Sequence, residues 1–219
     1  CANDLGGFYL DVIKDRQYTT QADSLARRSA QTAMYHIAEA LVRWIAPILT
    51  FTAEEIWENL PGERAGSVLL EQWYTKLDAA TLPAAMDAQY WSRVLAVRSA
   101  VNREMEVKRA AGALKGSLDA QVTLYCDGQL HTDLAALGEE LRFVLITSDA
   151  ALRPLAEADE RPAVTDVPGL SLLVVPSEHE KCERCWHRRP EVGSIAQHPG
   201  LCARCVENVD GDGELRRFA

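Results

Sequence analysis

The chain has 219 residues, with 23 Lys and Arg against 32 Asp and Glu and a net charge of −9. A hydrophobic content of 47% supplies a sizeable core and excludes a largely disordered chain, and no apolar run approaches the roughly 18 residues that span a bilayer. The acidic balance argues against a uniformly basic nucleic-acid binder but leaves room for a local basic surface. The charge is uneven: residues 98–117 carry a net +3, residues 118–177 a net −7 and residues 178–219 a net −1. The first residue is Cys1 and residues 3–10 read as the middle of a packed element, so a piece of a longer protein is expected. The start lacks the basic-then-apolar pattern of a secretory signal.

Residues 20–49 are glycine-free, and Met34, Ile37, Leu41, Trp44, Ile45 and Ile48 recur at three-and-four spacing, which predicts a long amphipathic helix. Pro47 lacks an amide hydrogen and should end or kink it. A new helix is expected at once. Thr52 and Glu55 have capping-box spacing, Phe51 and Ile56 are placed for a hydrophobic staple, and Pro61-Gly62 stops the helix. Residues 63–85 read as irregular, with a short apolar stretch at 68–70 and a proline at 83. A second long helix is expected from about residue 85 to 111, ending near Gly112, with Val94, Val97, Val101 and Met105 on its apolar face. Arg98, Asn102 and Arg109 fall on an adjoining stripe.

After Gly116 the character changes. Residues 121–126 alternate and are β-branched, which predicts a strand; a short helix at 130–137, a second strand at 142–147 and a third at 170–175 follow. The stretch between the last two strands is acidic and contains proline. The fold expected is mainly α: a helical bundle over 1–116, a small α/β unit over 117–177 and a terminal module over 178–219.

Four of the six cysteines form Cys182-x2-Cys185-x16-Cys202-x2-Cys205. Two close pairs joined by a short loop set four thiolates around one Zn²⁺, and the last forty or so residues hold too little apolar material for a core of their own. Two disulfides would need a secretory context, and a redox pair needs one such motif, not two. The expected metal is therefore one structural Zn²⁺, with no open coordination position for hydrolysis. His179, His187 and His198 lie nearby, but four cysteines already close the site. Trp186, Arg188 and Arg189 follow the first pair and Arg204 sits inside the second. An exposed aromatic beside guanidinium groups suits stacking on unpaired bases and pairing with phosphates. A Trp186 that covers the metal among solvated arginines is an equal reading of the same residues.

His36 reads as a helix histidine with no Ser or Cys placed as its nucleophile, and Glu54, Glu55 and Glu58 suit a helix N-terminus. Gly6-Gly7 and Gly211-Asp212-Gly213 read as turns, and Cys126 as a small buried hydrophobe. No nucleophile–base–orienter set emerges.

Several segments together carry a resemblance. Residues 4–18, DLGGFYLDVIKDRQY, resemble the opening of the anticodon-binding helical domain of bacterial isoleucyl-tRNA synthetases, which are class I aminoacyl-tRNA synthetases. Residues 35–44, YHIAEALVRW, with Ala46-Pro47-Ile48-Leu49, are similar to its next long helix. Residues 116–120 and 140–145 are similar to the linking α/β region. Cys182-x2-Cys185-Trp186-His187, Cys202-x-Arg204-Cys205 and the ending from Gly211 to Ala219 resemble the family's C-terminal zinc module. The likeness runs in order along nearly the whole chain and is weakest across 150–168.

The resemblance implies the tRNA-binding, anticodon-arm part of an ATP-dependent ligase that joins isoleucine to tRNA(Ile). The family's catalytic domain carries HIGH and KMSKS signatures, and His36-Ile37-Ala38-Glu39 is not one of them. The resemblance thus implies that ATP and Mg²⁺ belong to the parent's catalytic domain, that the editing domain lies elsewhere, and that this chain alone is non-catalytic. It also implies a cytoplasmic monomer whose partners are tRNA(Ile) and its own catalytic domain, with no membrane. The residues expected to meet tRNA are Trp186, Arg188, Arg189 and Arg204 in the zinc module, Arg98, Asn102, Arg109 and Lys115 on the bundle side, and Lys14 and Arg16 behind them. The alternatives weighed are the zinc-finger part of a DNA-repair glycosylase, whose finger has similar spacing, and a zinc-stabilised protein-interaction module.

Overall fold

The computed structural model describes residues 2–77, 84–159 and 161–219. Cys1 and Pro83 lie outside the described residues. Packing divides the chain into two compact units, one of residues 27–81 and the other of residues 1–26 with 82–219.

The 27–81 unit holds most of α1 (Leu25–Ile45) and all of α2 (Thr50–Asn59). The first helix stops two residues before Pro47, as the missing amide requires, and Ile48 and Leu49 N–H both turn back to the Ile45 carbonyl. The capping box expected at Thr52 does not form. Ala53 N–H already bonds the Leu49 carbonyl at 2.9 Å, so the helix begins at Thr50, two residues upstream of the Thr52 signal, with no side-chain cap. Phe51 is 91% exposed, so no staple forms either. Val42, Ala46, Ala53, Trp57 and Val68 make this unit's core. The Arg43 and Arg64 guanidiniums lie over the Trp57 ring, 4.7 and 4.5 Å from its centroid. Glu39 binds both arginines at 2.5 Å. Burial would raise the Glu39 carboxyl, but hydrogen bonds from Arg64 and Arg43 bring it down to about 2.

The larger unit opens with a π-helical stretch, Ala2–Tyr9, that runs into α3 (Leu10–Thr19). Gly6 and Gly7 therefore sit inside a helix and not in the turn expected of a Gly-Gly pair; a backbone without Cβ tolerates the wider π turns. The long helix α4 (Ala88–Ala110) is capped by Asp87 Oδ1, which accepts from Tyr90 N–H at 2.8 Å. It ends in a Schellman motif: Gly112 takes φ +75, its N–H bonds Arg109 O, and Ala113 N–H bonds Lys108 O. Val94, Val97, Val101 and Met105 are all buried, as their spacing predicts.

A four-stranded mixed sheet packs on α4, built from β1 (Ala120–Cys126), β2 (Asp149–Arg153), β3 (Ala163–Val164) and β4 (Leu170–Pro176) in the order β2-β1-β4-β3. β1 runs parallel to β2 and antiparallel to β4. Val122, Leu124 and Cys126 face the core directly opposite Val174, Leu172 and Leu170, so one buried face is tiled by cross-strand pairs. Two helices, α5 (Gly128–Ala135) and α6 (Leu141–Leu145), lie between β1 and β2. The second strand expected at 142–147 is thus a helix. All five residues of α6 are buried, and a continuous apolar run does not distinguish a buried strand from a buried helix turn. The actual strand β2 falls in the stretch described only as acidic and proline-containing, because Ala150 and Ala151 give a weak strand signal. The last helix, α7 (Ala203–Asp210), belongs to the cysteine module. Among the described residues no helix is long and apolar enough to cross a membrane.

Candidate metal centre and nucleic-acid interface

The first cysteine pair sits in a tight turn: Trp186 N–H bonds Cys182 O, and Cys182 N–H bonds His187 O, both at 2.9 Å. The second pair opens α7, where Cys202 is the N-cap and Val206 N–H bonds its carbonyl at 3.1 Å. Glu183 N–H to Gly200 O, 3.0 Å, ties the two turns together. All four Sγ atoms are buried and lie within 4.8 Å of one another. Cys185 and Cys202 Sγ are 3.7 Å apart, and a tetrahedral site with metal–sulfur bonds of about 2.3 Å has edges near 3.8 Å. The donor set fits Zn²⁺, and no disulfide joins the described cysteines. Beside the sulfurs, Val192 and Leu201 alone among the described residues supply apolar packing, so a metal held by the thiolates is what gives this module its core. His187 is not a ligand. It is buried between Phe143 and Arg142, and burial lowers its ring to about 3 against the pull of Asp15.

The module is anchored by charge. Arg204 on α7 makes a bidentate pair with Asp15 of α3, 2.7 and 2.8 Å, and also reaches Glu214 at 2.9 Å. Arg216 joins the same Asp15 oxygen at 2.8 Å and stacks on Phe143 at 3.6 Å. Burial opposes ionisation of Asp15, but Arg204 and Arg216 hold its carboxyl well below the usual range. Glu140 accepts from the backbone N–H groups of Arg217, Phe218 and Ala219 at 2.7–2.8 Å, which fixes the tail. Asp15 and Glu140 were not singled out in the sequence. An acid within a helix gives no local sign that its partners lie far along the chain.

The residues expected to meet tRNA divide by exposure. Trp186 is 60% exposed, with Lys181 Nζ 5.2 Å from its ring, so the indole does not cover the metal. Lys115 and Lys14 are exposed, Lys14 beside Asp11 at 2.8 Å. Arg109 pairs with Glu106, and Asn102 is half-buried. Arg188 and Arg189 brace the module against the sheet, Arg188 on Asp119 at 2.7 Å and Arg189 on Asp149 at 3.0 Å. Arg98 donates to the carbonyls of Val144 and Gly7 beneath the Phe8 ring. Arg204 is turned inward to Asp15, and Arg16 is buried and donates to Ala219 O. The structure therefore brings Trp186, Arg188, Arg189 and Arg204 onto one module and leaves Arg98, Asn102 and Arg109 along α4.

Helices joined to a closed four-thiolate knuckle with an exposed indole define a zinc-stabilised binding region with no catalytic constellation among its described residues. Residues 1–124 match the anticodon-binding domain of tRNA ligases, and residues 180–208 match the zinc finger found in FPG and IleRS. The chain belongs to the family of tRNA-ligase anticodon-binding domains. Over its whole length it is 59% identical to the isoleucine–tRNA ligases of Pseudomonas paraeruginosa and Alcanivorax borkumensis, and 58% identical to that of Pseudomonas putida. In each case it covers 100% of this chain and 23% of the relative, so it corresponds to the anticodon-binding region and zinc finger of that ligase and spans under a quarter of its length.

Proposed function

We propose that this chain binds the anticodon arm of tRNA(Ile) on behalf of an isoleucine–tRNA ligase. The observation that carries the reading is the exposed Trp186 on a zinc knuckle, in a chain that matches an anticodon-binding domain over residues 1–124. Unpaired anticodon bases present flat faces and free edges, which aromatic and guanidinium groups recognise. Trp186, Lys115 and Lys14 meet the RNA first, with Arg188, Arg189, Arg109, Arg98 and Asn102 at the margins of that surface. Arg204 and Arg16 act by holding the knuckle in place.

On this reading amino-acid activation, with ATP and Mg²⁺, belongs to the catalytic domain of the parent enzyme, which is this region's other partner. The chain by itself is a non-catalytic, cytoplasmic monomer. The functional division runs 1–116 for the bundle, 117–177 for the linking α/β unit and 178–219 for the zinc module; the two compact units describe packing, not roles. The glycosylase and adaptor readings lose ground because each leaves the anticodon-binding match of residues 1–124 unexplained.

An electrophoretic shift tests the proposal. The zinc-loaded chain should retard tRNA bearing the isoleucine anticodon at lower concentration than the same tRNA with an exchanged anticodon. Equal retardation of both, or none of either, overturns it.

A further inference from the structure

A cleft of about 630 Å³ lies wholly within the larger unit, where α3, the 116–119 turn, the end of α6 and the first cysteine turn meet. Its floor is apolar, made by Val12, Leu118, Phe143 and Ile146. Two aromatic rings stand at its mouth: Trp186 and Tyr18, which is 75% exposed. Lys14, Lys181 and Arg184 bring positive charge to a lining that also includes Asp11, Asp15 and Asp119. Small-molecule sites occupy roughly 300–1,000 Å³, with apolar walls and a few placed polar groups, and this cleft falls in that range.

Backbone geometry singles out the same place. Among the described residues only Ile146, φ +57, and Trp186, φ +67, take a left-handed conformation without being glycine, and both line this cleft. For a branched or bulky side chain that conformation is costly, and such strain collects at ligand sites. At Trp186 the cysteine turn imposes it, through the bond from Trp186 N–H to Cys182 O. The zinc knuckle thus holds an indole outward in a conformation that Trp does not choose for itself.

We infer that this cleft receives a single unpaired nucleotide of the RNA, its base against Trp186 and its phosphate on Lys181. The carboxylates in the lining do not repel that phosphate: Asp15 is satisfied by Arg204 and Arg216, Asp119 by Arg188, and Asp11 by Lys14. Arg184 is engaged with Thr19 O and sets the cleft's edge. Lys181 lies over one face of the Trp186 ring, so a base stacks on the opposite face of the indole with the cation close by. The interior of a duplex cannot supply this ligand, because its bases are stacked on their neighbours and have no free face to offer. The inference rests on the RNA-binding reading and goes beyond it by assigning one nucleotide to one cleft, with Tyr18 and Lys181 as new members of the site.

The test uses the zinc-loaded chain and a series of anticodon hairpins, each with 2-aminopurine at one loop position. One position alone should change its fluorescence on binding, and Trp186→Ala should abolish that change and weaken binding roughly tenfold. Trp186→Phe, which keeps an aromatic face, should restore most of both. Lys181→Ala should weaken binding and lower its salt dependence by about one ion. Hairpins that bind wild type, Trp186→Ala and Lys181→Ala equally overturn the cleft assignment and leave the RNA reading standing. Hairpins that fail to bind wild type overturn both. A nucleoside monophosphate that saturates the cleft below millimolar concentration and displaces the hairpin overturns RNA as the source of the nucleotide.

Discussion

Asp15 gathers two of the arginines that anchor the zinc module and tail to α3. Its two oxygens receive Arg204 twice and Arg216 once, and each of those arginines is buried against the Phe143 ring. Removing the charge while keeping the shape leaves two guanidiniums in a low-dielectric site with too little negative charge. Asp15→Asn should therefore cost about 3–5 kcal/mol in urea unfolding, far more than a surface pair. Glu39 plays the matching part in the 27–81 unit, and there the effect depends on pH. Its carboxyl titrates near 4.5 without partners and at about 2 here, so the stability it lends is whole above pH 4.5 and drains away as the pH falls toward 2. A thermal melt series across that window should show the loss in wild type. Glu39→Gln should be less stable at neutral pH and should not show that part of the acid dependence. Neither acid was legible as a keystone in the sequence, where each is one carboxylate among 32 acidic residues.

At the scale of elements, periodicity carried most of what could be read. The valine and methionine stripe of α4, the proline stop of α1 and the alternating residues of β1 and β4 are local signals that the folded chain obeys. The errors came where a signal was ambiguous or was pre-empted. The apolar run of α6 fits either secondary structure, and the capping box at Thr52 lost to a hydrogen bond that starts α2 at Thr50. The cysteine module was legible from spacing alone, because tetrahedral ligation dictates that spacing, yet how the module docks was not. Cys202→Ser should reduce bound zinc well below one equivalent. It should also raise amide exchange across residues 180–208, since Val192 and Leu201 alone cannot hold the loop. Hydrogen exchange with mass spectrometry checks this. Buried Leu124 of β1 offers a contrast: Leu124→Ala should cost about 2–5 kcal/mol while leaving zinc content unchanged.

For the whole molecule, the net charge of −9 is a poor guide to binding because it is unevenly placed. The acidity concentrates in residues 118–177, while 98–117 are basic and the zinc module is nearly neutral. Affinity for RNA should accordingly fall with added salt, with a logarithmic slope of about 0.7 per single-strand phosphate engaged. A slope near zero in an anisotropy titration would leave the lysines of the proposed surface without a role. The candidate site was legible in its parts, the Trp and the basic residues beside the cysteines, but not in its assembly. Lys14 and Tyr18 reach the cleft only because α3 packs beside a knuckle about 170 residues away.

The pairing of Asp15 with residues 189 and 201 positions downstream also sets a timetable for synthesis. At about 5–20 residues per second, α3 leaves the ribosome on the order of 10–40 s before Arg204 and Arg216 are made. During that interval Asp15 has neither cation, and the 27–81 segment is translated in between. Nascent chains stalled near residue 180 should be cut by protease within α3, and chains in which residue 219 has cleared the ribosome should resist. The segment that follows the zinc module's helix is then the clasp that closes a unit whose first helix was translated roughly 190 residues earlier.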